Sequence, residues 1–343
     1  MKFLRNILVP IVPFYWMATW VRNRLFDYGI MSSKEYSIPI ICVGNLSTGG
    51  TGKTPMVEYL IELLQPTYKV AILSRGYRRK SEGFMLANNE SRVEDLGDEP
   101  FQIHKKYPDI LVTVDSDRRN GIKRLMEMEN QPQVILLDDA YQHRKVKAGL
   151  NILLTTFQNP YFNDIVLPTG NLREPLSGSK RADLVVVTKS PAEISEEKML
   201  QIKENLDLTD SQELYFSSIV YGDRLISSNS IMTIEELENQ EFTLVTGIAN
   251  PKPLERFLKK KNLKFDHLKF PDHHSFSKDE ISDFNQKELI LTTEKDFVRL
   301  GGLWENKKVF YIPIKIMILD KDADFDKKII EFCQNYSIGA AEL

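Results

Sequence analysis

The run Gly44-Asn45-Leu46-Ser47-Thr48-Gly49-Gly50-Thr51-Gly52-Lys53-Thr54 constrains this chain more than any other feature. It follows an apolar segment, 38–43, and precedes a helical pattern, the strand–loop–helix setting in which glycine-dense turns hold phosphate. Such a loop lets successive backbone N–H groups curl around phosphate oxygens, and the following helix turns its positive end toward the same anion. Ser47, Thr48, Gly49, Gly50, Thr51 and Gly52 are therefore expected to line a nucleoside triphosphate. Lys53 is expected to reach its β- and γ-phosphates, and the Thr54 hydroxyl to ligate Mg2+. The strict spacing asks for glycine at 47; this chain has Ser47 there and extra glycines at Gly49 and Gly50.

A loop of this kind belongs in an α/β fold, and the rest of the chain agrees. Strand-like runs at 69–73, 110–114, 134–137, 151–155 and 184–187 alternate with helical segments, and more follow at 214–220, 242–246, 289–291 and 309–312. Helices are expected after Gly52, near Asp117, near Ser195, near Pro251 and at Ser277, where Glu280 three residues on completes a capping box. The predicted fold is a P-loop NTPase-like, mainly parallel sheet sandwiched by helices, with a second smaller α/β domain. The polar stretch 207–213 and the turn at Gly222-Asp223 suggest the division: an N-terminal helix in 1–30, a P-loop domain in 31–215 and a C-terminal α/β domain in 216–343. Apolar residues at 42% and charged residues at 27% fit a folded chain, and a net charge of −3 argues against life on nucleic acid. Cys42 and Cys333 are too few and too far apart for a zinc site or disulfide framework, and Cys42 reads as core.

The first 26 residues differ in character. Lys2, Arg5, Arg22 and Arg24 flank the uncharged run 7–21, which contains Tyr15, Trp16 and Trp20, and no acid precedes Asp27. The run is shorter than the ~20 apolar residues of a membrane span, and Pro10 and Pro13 interrupt it. A secretory signal would need small residues where Arg22 and Arg24 stand. The preferred reading is an interfacial anchor, with apolar groups at the acyl boundary, aromatics at headgroup level and arginines against anionic lipid; a buried core helix is the alternative.

Other residues carry chemistry that the sequence leaves open. Segment 134–137 runs into Asp138 and Asp139, a buried strand tipped by carboxylates of the kind that hold magnesium. Asp98 and Glu99 sit in Gly97-Asp98-Glu99-Pro100 before a helix, and His273 and His274 share Phe270-Pro271-Asp272-His273-His274. Asp98 reads as a proton acceptor or a helix N-cap, and His273 as its partner or a surface turn. Arg75 with Arg78-Arg79-Lys80 reads as a clamp on an anionic substrate or a solvated loop. A regulatory ATPase is disfavoured because Thr48 stands where such loops carry lysine. A GTPase is disfavoured because the nearest guanine-reading candidate, Thr188-Lys189-Ser190-Pro191, lacks both Asn and Asp.

Eight segments, in order, resemble the tetraacyldisaccharide 4′-kinases of lipid A biosynthesis. They are Val43-Gly44-Asn45-Leu46 through Thr54-Pro55, Ser74-Arg75-Gly76-Tyr77, Gly97-Asp98-Glu99-Pro100, and Asp138-Asp139-Ala140-Tyr141-Gln142-His143-Arg144. Leu167-Pro168-Thr169-Gly170-Asn171-Leu172-Arg173-Glu174-Pro175, Thr246-Gly247-Ile248-Ala249-Asn250-Pro251, Phe270-Pro271-Asp272-His273 and Thr292-Thr293-Glu294-Lys295-Asp296 complete the set. The resemblance implies transfer of the γ-phosphate of ATP to the 4′-hydroxyl of a tetraacyldisaccharide 1-phosphate, forming lipid IVA. It also implies a monomer on the cytoplasmic face of a bacterial inner membrane, held to an anionic surface by its N-terminal helix, with no nucleic-acid partner. It pairs Asp98 with His273 as catalytic residues beside Lys53. It assigns Thr54, Glu99, Asp139 and Gln142 to the magnesium site and Glu174 to the nucleotide. Arg75, Arg78, Asp138 and His143 become the expected substrate-binding residues. Two segments depart from the family pattern: Ala140-Tyr141 stands where Gly-Leu or Gly-Phe is usual, and Thr169 where Ala is.

Overall fold

The computed structural model describes residues 5, 7–238, 240–272, 274, 276–300, 308–319 and 321–341. An N-terminal helix, α1 (Val12–Asp27), leads into strand β1 (Ile40–Asn45), the phosphate loop and α2 (Lys53–Leu64). Then come β2 (Val70–Ser74), β3 (Met85–Leu86), α3 (Val93–Leu96), α4 (Asp98–Lys106), β4 (Leu111–Val114), α5 (Arg118–Met126) and β5 (Val134–Asp138). After β6 (Leu150–Thr156) and β7 (Leu184–Thr188) follow α6 (Glu196–Leu206) and β8 (Glu213–Tyr221). A second group holds β9 (Arg224–Ile226), β10 (Ile231–Thr233), β11 (Phe242–Thr246), α7 (Lys252–Lys260), β12 (Phe265–Lys269), α8 (Lys278–Asn285), β13 (Ile290–Thr293), α9 (Glu294–Leu300) and β14 (Val309–Ile312). The chain ends with β15 (Ile314–Leu319) and α10 (Asp322–Ala341).

The first sheet has the order β15-β8-β7-β6-β1-β5-β2-β4-β3, parallel except at its edges, where β3 and β15 pair antiparallel. The second has the order β10-β9-β14-β13-β11-β12. Strand β1 is buried along its whole length because it lies mid-sheet with helices on both faces. Its alternate side chains serve two cores. Ile41 and Val43 join Met56, Leu60 and Leu64 of α2 and Phe325 and Ile329 of α10; Ile40 and Cys42 join Leu73, Ile122 and Leu137 on the other face.

The alternating pattern read from the sequence thus corresponds to a mainly parallel, helix-flanked sheet with a smaller second sheet. The division expected at 215/216 does not coincide with the sheet topology. That point falls inside β8, whose register with β7 and β15 keeps it in the first sheet. Strand β15 and α10 return to the first unit, so the second sheet spans only β9 to β14. The reason is an edge: β8 would otherwise expose a long row of backbone donors and acceptors, and β15 covers it over residues Phe216 to Tyr221. Strands β3, β9, β10, β12 and β15 lie outside the predicted runs, being short, partly polar or edge-paired.

Helix α4 ties the two sheets together. Lys106, at its end, places Nζ 2.6 Å from Glu58 of α2 and 3.2 Å from Glu294 of α9. Burial pushes both carboxyls upward in pKa, and the charge of Lys106 pulls them back. Replacing Lys106 by Met should destabilise the fold by about 3–5 kcal/mol, the cost of stranding buried charge. Without the lysine, the folded-state pKa values rise further above the unfolded value. The loss is therefore relieved below the unfolded pKa and grows as pH rises through the folded one. Urea unfolding at pH 5 and pH 8 should show the larger deficit at pH 8; equal deficits would remove the cluster from this role.

Candidate active site

Strand β1 delivers the loop and α2 receives it. Gly52, with φ 90° and ψ 25°, is the N-cap of α2, a left-handed conformation that costs glycine nothing. Two side chains hold the loop's far end. Asn45 donates to the Thr51 hydroxyl at 2.8 Å, and the Thr188 hydroxyl donates to the Thr51 carbonyl at 2.7 Å. Lys53 Nζ also lies 3.5 Å from the side-chain oxygen Oδ1 of Asn45. The near end is pinned by the chain after residue 170: Thr48 N–H donates to the Asn171 carbonyl and Arg173 N–H to the Leu46 carbonyl, each at 2.7 Å.

Register brings the acidic strand tip to this loop, since β5 lies beside β1 with Asp138 opposite Val43. Asp139 adopts φ 49° directly after the strand. Its Oδ1 lies 2.8 Å from Arg173 Nη1 and 3.5 Å from Lys53 Nζ. Burial alone would raise its pKa, but Lys53 and then Arg173 outweigh burial and hold the carboxyl below its ordinary range. Asp138 goes the other way: burial, then the charge of Asp139, pushes it up to about 6. Ser74 donates to Asp138 Oδ2 at 3.1 Å, while Oδ1 is buried without a hydrogen-bond partner among the described residues.

Glu174 is 1% exposed, and three donors surround its carboxylate: Asn23 of α1 at 2.6 Å, Arg181 at 2.8 Å and Gln142 at 2.9 Å. The same Gln142 amide nitrogen donates to the Asn45 carbonyl at 2.9 Å. Gln142 and Glu174 are thus joined to each other in a buried cluster between α1 and the phosphate loop. Further contacts fix α1 there. The Tyr15 hydroxyl donates to the Arg173 carbonyl at 2.9 Å, Arg22 to the Gln142 carbonyl at 2.6 Å, and Arg5 to the carbonyls of Pro168 and Gly170. The unusual Thr169 uses its hydroxyl to donate to the Arg5 carbonyl at 3.1 Å. The unusual Tyr141 is buried, with its hydroxyl on the Gly178 carbonyl at 2.8 Å.

Asp98 and Glu99 open α4, after Gly97 as N-cap, so Asp98 is the first helical residue rather than the cap. Glu99 acts electrostatically on Asp138, and its carboxylate meets Lys295 at 3.2 Å. Asp98 Oδ2 accepts from Arg299 Nε at 2.7 Å. His273 lies outside the described residues; its neighbour His274 contacts Glu280 at 3.0 Å and stacks on Phe270. Arg75 and Arg78 are exposed on the loop after β2, and the Arg75 charge bears on buried Arg118. Lys295, Arg299, Asn45, Arg118 and Asn23 were missed by the sequence reading. Lys295 and Asn45 lay in recognised segments, while Arg299 with Asp98 and Asn23 with Glu174 pair across 201 and 151 positions.

His143 sits near the Asp138-Asp139 turn with Nε2 buried and without a partner among the described residues; Asp117 Oδ1 is 3.9 Å away. Burial, then the charge of Arg118, lowers its pKa to about 4. The neutral ring therefore contributes stability above the unfolded value of about 6.5 that is lost as pH falls through the folded one. Side-chain NMR should give His143 a midpoint near 4. A midpoint of about 6 or higher, as for a solvated ring, would show the site to be open.

The donor set fits a magnesium ion that arrives with a triphosphate. Such an ion takes one or two carboxylates and fills its remaining positions with phosphate oxygens and water. Asp139, the orphaned Asp138 Oδ1 and the Thr54 hydroxyl are oxygen donors of the right kind, and no cage of three or more acidic, histidine or cysteine side chains occurs among the described residues.

Comparison with known proteins points the same way. The tetraacyldisaccharide-1-P 4′-kinase family model matches residues 4–334. A protein named tetraacyldisaccharide 4′-kinase from Flavobacterium psychrophilum is 48% identical over 340 residues, covering 98% of each chain. One of the same name from Bacteroides thetaiotaomicron is 42% identical over 350 residues, covering 95% of this chain and 92% of its own. The crystal structure of LpxK from Aquifex aeolicus in complex with ATP superposes with a TM-score of 0.78 at 33% identity, covering 96% of this chain and 99% of that one.

Proposed function

The chain belongs to the tetraacyldisaccharide-1-P 4′-kinase family and is an ATP-dependent kinase; from that premise we propose that it transfers the γ-phosphate of ATP to the 4′-hydroxyl of a tetraacyldisaccharide 1-phosphate at a membrane surface, forming lipid IVA. The observation that carries this reading is the meeting of Lys53, Asp139 and Arg173 at the mouth of a glycine-dense loop.

Phosphoryl transfer asks for placement and charge neutralisation more than covalent chemistry. The backbone of 47–52 and the N-terminus of α2 cradle the phosphates, and Lys53 neutralises charge that grows on the transferred group. Thr54 and Asp139 would hold Mg2+, with Asp138 and Glu99 behind them; when bound, the ion would offset the charge of the phosphates. Gln142 and Glu174 act on the nucleotide side by fixing Asn45 and the loop start, which their mutual hydrogen bond supports. Asp98, assisted by His273, takes the proton of the attacking hydroxyl. Arg75 and Arg78 face the acceptor from the loop after β2, and His143, kept neutral, lines the same side as Asp138.

Helix α1 supports the membrane assignment. Its polar side is bound to the kinase core, while Phe14 (68% exposed), Met17 (53%) and Val21 (42%), at i, i+3 and i+7, leave an apolar stripe outward beside Trp16. Among the described residues no helix is long and apolar enough to cross a membrane. A helix lying in the interface of the inner membrane, on its cytoplasmic face where ATP is present, accounts for both facts.

Two experiments test these readings. Lys53→Ala should lower the rate of lipid-dependent phosphorylation on the order of 10²–10⁴-fold, assayed with ATP and a detergent-dispersed disaccharide phosphate; an unchanged rate, or no bis-phosphorylated product from the wild-type enzyme, would sink the proposal. In flotation with anionic liposomes the wild-type chain should rise with the lipid, and the double variant Phe14→Glu/Met17→Glu should stay at the bottom. Equal flotation of both would place the membrane contact elsewhere.

A further inference from the structure

We infer that Arg299 is the positioning residue for Asp98, so that a helix of the second sheet sets the direction of the group that accepts the acceptor's proton. The inference rests on the reading of Asp98 given above. Gly97, with φ 89°, sets the backbone at this point, and a Cβ there would come within 2.8 Å of the Tyr77 carbonyl. The side chain of Asp98 is then met across 201 residues by Arg299 Nε at 2.7 Å, a charge-assisted distance.

Arg299 is itself held in place. Its side chain is 7% exposed, and Nη1 donates to the Gly247 carbonyl and to Asp296 Oδ1, each at 3.1 Å. Asp296 is fully buried, and its other oxygen accepts from Gly247 N–H at 2.8 Å and the Thr293 hydroxyl at 2.7 Å. Nε and Nη1 belong to one rigid plane, so anchoring Nη1 to the turn after β11 and to Asp296 one turn earlier on α9 aims Nε at Asp98. A lysine could supply the charge but not both directions.

Holding α4 against α9 does not by itself require this contact. Lys106 and Glu294 already join the same two helices at their other ends. One turn before Arg299, Lys295 holds Glu99, so two cations on one face of α9 address the two adjacent acids that open α4. A neighbouring guanidinium makes a carboxylate a weaker base. In phosphoryl transfer, however, placement of the nucleophile dominates, and a carboxylate with a fixed direction serves that purpose.

The test is steady-state kinetics of the purified full-length enzyme with ATP and the disaccharide phosphate. Arg299→Ala should lower kcat by at least about 10-fold, short of the ~10²–10⁴ typical of losing the base itself, with the KM for ATP within about 3-fold. Arg299→Lys should fall between. Low-millimolar guanidinium should restore part of the Arg299→Ala rate and none to Asp98→Ala/Arg299→Ala, and that double variant should be no slower than Asp98→Ala. An Arg299→Lys enzyme at full rate, multiplicative losses in the double variant, or no rescue by guanidinium would each overturn the inference. If Asp98→Ala alone stays active, the reading of Asp98 falls and this inference with it. If Asp98→Ala is crippled while Arg299→Ala is not, only the inference about Arg299 falls.

Discussion

The site depends on one electrostatic arrangement: a strand-tip carboxylate, Asp139, held between Lys53 of the phosphate loop and Arg173 of a later segment. A buried carboxylate with no cation would protonate or destabilise the fold. With two cations near it, Asp139 is held below its ordinary range, while Asp138, more deeply buried and beside the Asp139 charge, is pushed upward. The same arrangement keeps Lys53 near the loop mouth, where an incoming triphosphate can compete for it. Adjacent acids at the end of one strand thus become chemically unlike groups through their burial and their partners.

Around this centre the chain converges from three directions. The phosphate loop comes from the middle of the first sheet. Arg173 brings the segment after residue 167, and through its carbonyl and Tyr15 it brings helix α1. Buried Glu174, shared by Asn23, Arg181 and Gln142, makes the helix that carries the apolar stripe continuous with the residues that shape the loop. From the opposite side, α4 carries Asp98 and Glu99 and is bound at both ends to α9 of the second sheet. The second unit is therefore part of the architecture around the acidic turn and not an appendage to it.

Much of this was legible in the linear chain. The loop, its preceding strand and its following helix were all local, and so was the capping box at Ser277, which appears with Glu280 as expected. The strands buried on both faces read as continuous apolar runs and were found within a residue or two of their ends. Strands β9, β10 and β15 were not, because their pairing partners decide them: β15 is a strand because β8 needs an edge covered. The boundary near 215 failed for the same reason, since polarity marks surface and does not say which sheet a strand joins.

What the sequence by itself determined is that a glycine-dense turn stands between a strand and a helix, because its geometry follows from a few adjacent residues. It also determined that a buried strand runs out into Asp138 and Asp139 and that an apolar, aromatic segment lies near residues 7–21. Only the tertiary structure decided which acid is held below its ordinary pKa and which is pushed above it, which arginine faces which carboxylate, and that Gln142 and Glu174 meet each other. Those outcomes rest on contacts between residues separated by tens to hundreds of positions, such as Arg299 with Asp98. A charged side chain has no fixed partner until packing removes water and leaves it one.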